Sequence, residues 1–451
     1  MTDFPNVSPY QYEIQSIKIE TDRLNGFFEV AASTIEVVFY EHLDKAYISG
    51  NISILDDANI FETIDFMGNE TVDIQIIIPG SNQKIRKRFF VRQVESAVQI
   101  SDQSQVIMLS IVDATYYANG LINLQKKYEG RPHEIIENVL MDNFFGLQLQ
   151  RDQECIQAPI RFLTPNMSPL GVMRVMKERA TDEIGSPFYL FASLTDNNIR
   201  FYSLKYMLDR PAINSLGKTQ PYRFNQKMAQ DDTIPPALAA FNITHINYQQ
   251  NENMNQLIQN GDVGAQYEYH DPISNLTASY KHNISEIYHQ LYATSSTIAK
   301  SPVYDDTTLF RGKKFDEFSS KTISSVTTSR TFEDINNLHE DNSPAFHREK
   351  SVAKALKNFV HKSSLEITVP GINFLASENH ITTGNVISIE VLKNYVPEGS
   401  NADLIDKKKS GNYLIFAARH NFSRGQRYEV NLSIGKLSNL NGSTRGKFNA
   451  F

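Results

Sequence analysis

The sequence predicts an α+β chain, rich in β-structure, with two similar antiparallel β-barrel domains, an α/β insert and a further irregular inserted segment. Apolar and polar residues alternate near both ends of the chain, as in half-buried strands. Between these regions, apolar residues recur at helical spacing and then give way to a polar stretch without either period. The predicted boundaries are 1–118 for the first barrel, 119–215 for the α/β insert, 216–259 with 348–440 for the second barrel, 260–347 for the polar segment and 441–451 for a tail.

The first barrel is predicted from runs of β-branched and aromatic residues that turn residues separate. These runs are 35–40, 46–54, 71–78, 85–91 and 106–112. Residues 79–82 and 101–104 supply hairpin connections, and 58–63 is long enough for one helical turn between strands. We therefore expect a small antiparallel sheet or barrel.

The insert is predicted from a change of period. Pro132 falls in the first turn of a helix with one apolar face, and Ser168 is the expected cap of a second helix at 169–180. Residues 187–202 then form a hairpin. The apolar face of the first helix holds Ile135, Ile136, Val139, Leu140 and Phe144.

The second barrel follows a polar segment that we expect to be loops or irregular structure, ordered against a partner. A helix at 348–360 leads into this barrel. Its predicted strands are 364–369, 385–392, 412–418 and 427–434, after an earlier strand at 241–248.

The first and last β regions resemble each other. A gapless offset of 323 places the Leu-Ser-Ile at 432–434 on that at 109–111 and Tyr413 on Phe90, and 386–391 echoes 72–77. Alternation alone makes any two amphipathic hairpins look alike. A true repeat and a chance likeness therefore both remain open at this point.

Composition excludes several classes of function. The 451 residues include 44 Lys and Arg against 51 Asp and Glu, a net charge of −7 without the basic excess of a dedicated nucleic-acid binder. No run approaches the roughly 20 apolar residues of a membrane span, so we expect no membrane insertion. The single cysteine, Cys155, cannot form an intrachain disulfide, which suits a reducing cytoplasm.

Candidate chemistry is sparse. His282, Glu286 and His289 are spaced to share one helix face, as metal ligands sometimes are, but no cysteine accompanies them and the His-Glu-x-x-His order is absent. Cys155 stands in a polar stretch without a histidine nearby in the sequence, and there is no Gly-x-Ser-x-Gly elbow. The sequence therefore predicts no catalytic, metal-binding or cofactor-binding residue and no cofactor.

Charged and glycine-containing runs favour a simple interpretation. Residues 442–447 contain glycine and lysine but lack the strand and helix of a phosphate loop, so they read as a tail. The basic runs 84–88, 311–314 and 407–409 are expected to be solvated, the alternative being contact with acidic partner surfaces.

A series of short motifs follows in order along the chain. The first barrel contains Gly-Asn-Ile-Ser-Ile-Leu-Asp at 50–56, Asn-Ile at 59–60 and Gly-Asn-Glu at 68–70. The second contains Val-Pro-Gly at 369–371, Gly-Asn-Val-Ile at 384–387, and Ser-Gly-Asn-Tyr-Leu-Ile at 410–415, followed at five residues by His420. In order and spacing these motifs resemble the baseplate central-hub proteins of contractile-tailed bacteriophages.

The resemblance implies a tail-tube-like trimer, in which two barrels from each of three protomers make a pseudo-sixfold ring. Such a ring is a symmetry adaptor between a hexameric tail tube and a trimeric central spike, and part of the DNA conduit. The implied partners are two further copies of the chain, the spike, tube-side and other baseplate proteins, a tape-measure protein in the lumen, and DNA in transit. The implied location is the virion tail baseplate, after synthesis in the host cytoplasm.

Candidate lumen-facing residues follow from the alternation of two strands. They are Asp73, Gln75, Glu429 and Asn431, each of which points away from apolar neighbours. A polar or acidic lining would let DNA pass without binding its phosphates. Two alternatives stay open: the hub of a phage-derived contractile injection system, and a tail-associated cell-wall hydrolase or receptor-binding protein acting through 260–347.

Overall fold

The structure is a computed structural model. It describes residues 8–23, 26–79, 84–102, 104–144, 146–157, 159–210, 221–224, 239–249, 254–272, 275–284, 286–287, 309–314, 317–318, 322–326, 344–361, 364–375, 381–393, 405–406, 409–425 and 427–439. The predicted tail at 441–451 therefore lies outside the described residues.

Strands dominate the fold, as the sequence predicts. The strands are β1 Glu13–Glu20, β2 Phe27–Glu29, β3 Thr34–His42, β4 Ser49–Asp56, β5 Thr71–Ile77, β6 Lys84–Ser101, β7 Ser104–Asp113, β8 Lys127–Gly130, β9 Leu149–Arg151, β10 Ile160–Leu163, β11 Phe188–Ala192, β12 Ile199–Ser203, β13 Tyr222–Phe224, β14 His245–Gln249, β15 Gly264–Asp271, β16 Leu276–Asn283, β17 Leu309–Phe310, β18 Lys313–Lys314, β19 Thr322–Val326, β20 Ser364–Pro370, β21 Val386–Val391, β22 Gly411–Ser423 and β23 Arg427–Asn439. The helices are α1 Ile60–Ile64, α2 Ala114–Leu121, α3 Pro132–Asn143, α4 Pro169–Arg179, α5 Leu204–Asp209, α6 Met254–Asn260, α7 Pro344–Val360 and α8 Ile372–Leu375.

One large sheet runs through both ends of the chain. Its strand order is β14-β20-β23-β22-β3-β4-β7-β6-β5-β1-β2, and β21 with β13 branches from β22. Neighbouring strands are antiparallel except for β13 and β21. The β-rich, antiparallel character is thus confirmed, whereas the described pairings form an open path and closure into barrels stays a prediction.

The large sheet buries one face and leaves the other polar, because successive side chains on a strand point to opposite sides. Val72, Ile74 and Ile76 on β5 are buried, whereas Asp73 and Gln75 between them are partly exposed. The apolar face forms one continuous core with α3 and α4 of the insert. The helix starts at Pro132 and at the Ser168 cap are confirmed.

The two ends of the chain contain the same arrangement of five strands. We call β3-β4-β7-β6-β5 the first β unit and β14-β20-β23-β22-β21 the second β unit, each written in sheet order. A short helix follows the second strand of each unit, α1 after β4 and α8 after β20. Topology therefore favours a true repeat over a chance likeness.

The residue pairings settle the repeat, because the two units have the same register. The pair Ile52–Leu109 of the first unit corresponds to Ile367–Leu432 of the second. In the same way, Val72–Phe89 corresponds to Ile387–Tyr413, and Val91–Ile111 corresponds to Ile415–Ile434. A β-bulge also occurs at the same place, between Val91 and Gln93 in β6 and between Ile415 and Ala417 in β22.

The register confirms part of the predicted repeat and corrects the rest. Leu432 does correspond to Leu109, but Tyr413 corresponds to Phe89 rather than Phe90. Similarly, Ile387 rather than Val386 is the counterpart of Val72. β6 has an additional bulge between Val94 and Ser96 that a gapless offset cannot follow, and a slip of one residue exchanges the two faces of a strand.

Residues of the ordered motifs have identifiable structural roles. Asp56 accepts hydrogen bonds from the Ile60 and Phe61 amides at 2.8 and 3.0 Å, and so caps α1. Glu70 accepts from the Met67 and Gly68 amides, both at 2.9 Å. In the second unit, a Cβ at position 371 would collide with the buried Tyr428 ring, which explains the glycine of Val-Pro-Gly.

Some elements differ from the predictions. β6 and β22 extend about ten and five residues beyond the predicted runs, and β1, β2 and α2 are additional. The polar segment 260–347 includes a three-stranded sheet, β16-β15-β19, so the expectation of irregular structure is wrong for this part. Its aromatic residues, among them Tyr267 and Tyr269, form their own small core.

Candidate functional site

The two β units join where β3 pairs with β22. The pairing is antiparallel, with Phe39 opposite His420 and Val37 opposite Phe422. The Phe422 ring stacks on Tyr428 with centroids 4.2 Å apart and meets the Phe39 ring edge-on at 6.0 Å. An apolar, aromatic seam therefore makes the two units one continuous sheet.

Glu41 is the charged group at the centre of this seam. It is 2% exposed, and its carboxylate accepts hydrogen bonds from the Leu194 amide at 2.6 Å and the Thr383 amide at 3.4 Å. His420 Nε2 lies 3.9 Å from the same carboxylate. One side chain of the first unit thus contacts both the insert and the second unit.

The seam also determines the ionisation of Glu41. Burial favours the neutral acid, but the interaction with His420, together with hydrogen bonds from the Leu194 and Thr383 amides, outweighs it and holds the pKa of Glu41 below its ordinary value. His420 Nδ1 lies 2.8 Å from the Tyr428 hydroxyl. That contact directs the other ring nitrogen, Nε2, toward Glu41 at 3.9 Å, a distance longer than a hydrogen bond.

Lys87 makes a second contact between the first unit and the insert. Its ammonium group donates to the carbonyl oxygens of Ser193 and Asp196 at 2.7 and 3.0 Å. Burial lowers its pKa, against the opposing charges of nearby carboxylates. The run 84–88 was expected to be solvated, and this is wrong for Lys87, whereas Arg86 and Arg88 are exposed.

The candidate lumen-facing residues share one face of the large sheet. Asp73 and Gln75 lie opposite the apolar residues of β5, and Glu429 and Asn431 lie opposite Val430 in β23. The pairings through β6, β7, β4, β3 and β22 keep the apolar face continuous between these strands. That this polar face lines a lumen remains a prediction.

The acidic members of this face are ion-paired. Asp73 accepts two hydrogen bonds from Arg88 at 2.8 and 2.5 Å, and this raises the pKa of the guanidinium. Glu429 accepts from Arg427 at 2.6 Å. The surface around these carboxylates is therefore closer to neutral than to acidic.

The structure does not assemble the predicted histidine group. His282 lies in strand β16 rather than on a helix, is buried, and its Nε2 is 3.0 Å from the Asp262 carbonyl oxygen. Burial lowers its pKa. Glu286 is exposed and His289 lies outside the described residues. No group of three metal-ligating side chains occurs in the described part of the chain.

Cys155 has a histidine partner that the sequence did not reveal. It is 1% exposed, although its sequence neighbours are polar, and its Sγ lies 3.0 Å from His133 Nδ1. Burial raises the pKa of Cys155 to about 11 and lowers that of His133, so the pair is a neutral thiol and a neutral imidazole. This pair is a packed contact and lacks the thiolate that a nucleophile needs.

We expect the Cys155 thiol to be inert in the native protein. At pH 8 a thiol with a pKa of about 11 is about 0.1% thiolate, roughly two orders of magnitude less than an ordinary cysteine. Titration with a disulfide reagent such as dithionitrobenzoate should release no chromophore before urea is added and one equivalent afterwards. Rapid native labelling would contradict this assignment.

A cationic cavity lies beside the seam, and sequence analysis missed it because α4 and α7 reach it from distant parts of the chain. Its volume is about 730 Å³, and it is lined by Arg174, Lys177, Lys350, Lys354, Lys357 and Asp44, among others. Lys177 donates to Asp44 at 2.9 Å. Burial lowers the pKa of Lys357 to about 8. The cavity could accept an acidic group.

None of the helices within the described ranges combines the length and apolarity that crossing a bilayer requires. No protein-family model matches the sequence. No curated protein matches it either.

Solved structures similar to this chain include phage tail proteins and a component of a type VI secretion system. One is the tail protein from Neisseria meningitidis MC58, with a TM-score of 0.49, 10% identity, and 95% of this chain and 97% of that chain covered. The 43 kDa tail protein of prophage MuSo2 from Shewanella oneidensis has a TM-score of 0.49, 9% identity, and coverages of 93% and 98%. An Escherichia coli type VI secretion component, described as similar to the T4 tail proteins gp27 and gp5, has a TM-score of 0.41, 10% identity, and coverages of 98% and 80%.

Proposed function

We propose that the chain is a structural, non-enzymatic hub of a contractile phage tail baseplate. In this role three copies form a ring that adapts a hexameric tail tube to a trimeric central spike and encloses part of the DNA conduit. The hub of a phage-derived injection system is the same proposal in another biological context. Tube-side proteins, the spike and a tape-measure protein in the lumen are the proposed partners.

The matched register of the two β units is the observation that carries this proposal. A threefold object can meet a sixfold one only if each chain presents nearly the same surface twice. Equivalent residues of this chain, such as Leu109 and Leu432, have equivalent neighbours in a single sheet. Three such chains would offer six similar units.

The oligomeric state tests the proposal. Native mass spectrometry of the full chain should give a trimer of 51.3 kDa protomers, and class averages from electron microscopy should show a ring with six similar lobes. Loss of turbidity from a peptidoglycan suspension tests the hydrolase alternative. A monomer that clears peptidoglycan would overturn the proposal.

Charge reversal on the polar face tests the conduit. We expect Asp73→Lys with Glu429→Lys to slow genome ejection and to leave trimer assembly intact, because the new lysines join Arg88 and Arg427 and attract phosphate. The measurement is the rate of DNA release from particles that carry the variant. Asp57→Lys, which reverses an exposed charge after β4, is the control. Unchanged ejection kinetics would count against the lumen assignment.

A further inference from the structure

Strand β6 has two halves with different surroundings. Residues 84–90 pair with β5 on one side, and the strand then continues to Ser101 beside β7 alone, as far as the described residues extend. Two apolar side chains of this second half are strongly exposed, Val98 at 57% and Ile100 at 63%. A long open edge with exposed apolar residues is a template for pairing with another strand.

Strand β14 is a second open edge, at the far end of the large sheet. It pairs with β20 on one side, and this is its one neighbour among the described strands. Ile246 and Tyr248 on this strand are partly buried and pack against the core. Among the described residues, β14 is therefore the last strand on this side of the large sheet.

The internal repeat relates these two edges to the seam. Because β14 is the counterpart of β3 and β6 that of β22, the seam pairing of β3 with 417–422 of β22 has an equivalent between β14 and 93–99 of β6. Within one chain the first pairing is made. The second is not, since β14 and β6 belong to opposite ends of the same sheet path.

We propose that β14 of one copy pairs antiparallel with residues 93–99 of β6 in the next copy, in the register of the internal seam. The inference rests on the proposed trimer and specifies its contact. Because β6 has an additional bulge between Val94 and Ser96, Val37 opposite Phe422 becomes Ile246 opposite Gln99, and Phe39 opposite His420 becomes Tyr248 opposite Ala97. Asn247 then lies opposite Val98, as Val38 lies opposite Asn421 in the seam.

The chemistry of the two edges fits a second copy as the occupant. Ile246 and Tyr248 present apolar and aromatic surface where the seam has Val37 and Phe39, and Ala97 and Gln99 occupy the positions of His420 and Phe422 in the facing strand. The contact is head to tail, since the two edges differ, and such contacts close into a ring when the rotation per copy is a whole fraction of a turn. A ring of six units with two units per chain contains three chains, so the rotation from one copy to the next is one third of a turn.

Cysteine cross-linking in the full chain tests the register. Asn247→Cys with Val98→Cys places two exposed positions opposite each other, and directly opposed residues have Cα atoms about 4.5–5.5 Å apart, within disulfide range. After mild oxidation we expect covalent dimers and closed trimers on a non-reducing gel. Each single variant should remain a single band, and Asn247→Cys with Gln75→Cys, on the same face but distant in the sheet order, is the matched control.

An edge substitution gives a second, independent measurement. Val98→Asp should raise the trimer dissociation constant by at least tenfold per interface and leave the folded protomer intact, because Val98 is mostly exposed within the chain. Leu121→Asp, at a residue 74% exposed on α2, is the control and should not change assembly. Circular dichroism checks that both variants are folded.

The outcomes separate this inference from the proposed function. A trimer that dissociates on Val98→Asp and cross-links through Asn247→Cys and Val98→Cys supports the inference. A trimer that does neither leaves the hub proposal standing and overturns the β14–β6 contact. A protein that is monomeric before any substitution overturns both.

Discussion

Replacing Glu41 by alanine is expected to lower the free energy of unfolding by about 3–5 kcal/mol, the usual cost of removing one partner from a buried, hydrogen-bonded ionic group. The carboxylate is the acceptor for the Leu194 and Thr383 amides and faces His420. All of these groups lie in the seam between the two β units and the insert. Without Glu41 they would be buried without a partner.

Urea unfolding at pH 7 measures this effect, with Glu36→Ala as the matched control. Glu36 is on the same strand, opposite Ser423, and is partly exposed, so its removal should cost less than about 1 kcal/mol. Equal losses for the two variants would show that Glu41 has no special role in the seam.

The cost of Glu41→Ala should also depend on pH. The pKa of Glu41 is lower in the folded protein than in the unfolded chain, so its contribution is present above the ordinary carboxyl pKa and is lost as pH falls through the folded value. The difference between wild type and variant should therefore shrink in acid. A difference that grows as pH falls would contradict the proposed ionised state.

Alternation predicted the strands well, because a half-buried sheet requires it. The same alternation contains a signal for the seam between the two β units. Glu41 follows Val37 and Phe39 at the spacing that faces the core, and His420 stands between Ala418 and Phe422 in the same way. A charged residue in an otherwise apolar alternation indicates either a strand end or a buried polar contact. Glu41 and His420 both make buried polar contacts.

Contacts between distant parts of the chain could not be predicted from the sequence. Cys155 and His133 belong to separate elements of the insert, and their 3.0 Å contact depends on how those elements pack. The bulge between Val94 and Ser96 had the same effect on the repeat, because it shifts the register in a way that residue identity does not reveal. The order of the short motifs was a more reliable signal, because a helix cap or a glycine at a close contact is required at a particular position of the chain.

The pairing of β3 with β22 is the reason that the proposed contact between copies rests on strand edges rather than on surface charge. Among the described strands, the chain makes the β3–β22 pairing and does not make the equivalent pairing of β14 with β6. Any energetic contribution measured at the seam is therefore a guide to the contact proposed between copies. Phe422 is the residue in which this comparison is sharpest, because its counterpart Gln99 is exposed.

Phe422→Ala is expected to lower the free energy of unfolding by about 3–5 kcal/mol, the range for deleting a fully buried aromatic side chain. Its ring contacts Tyr428, Phe39 and Tyr12, with centroids 4.2, 6.0 and 5.1 Å away. Phe27→Ala, at a residue 52% exposed, is the control and should cost less than about 1 kcal/mol.

Combining Phe422→Ala with Glu41→Ala distinguishes a local cavity from a cooperative seam. The two residues lie in paired strands and are connected through two others, because Glu41 faces His420, His420 contacts Tyr428 and Tyr428 stacks on Phe422. Residues that act in one network give non-additive losses, with coupling of about 0.5–3 kcal/mol, so the double variant should lose less than the sum of the single ones. Strict additivity would mean that the aromatic and ionic contacts stabilise the two β units independently.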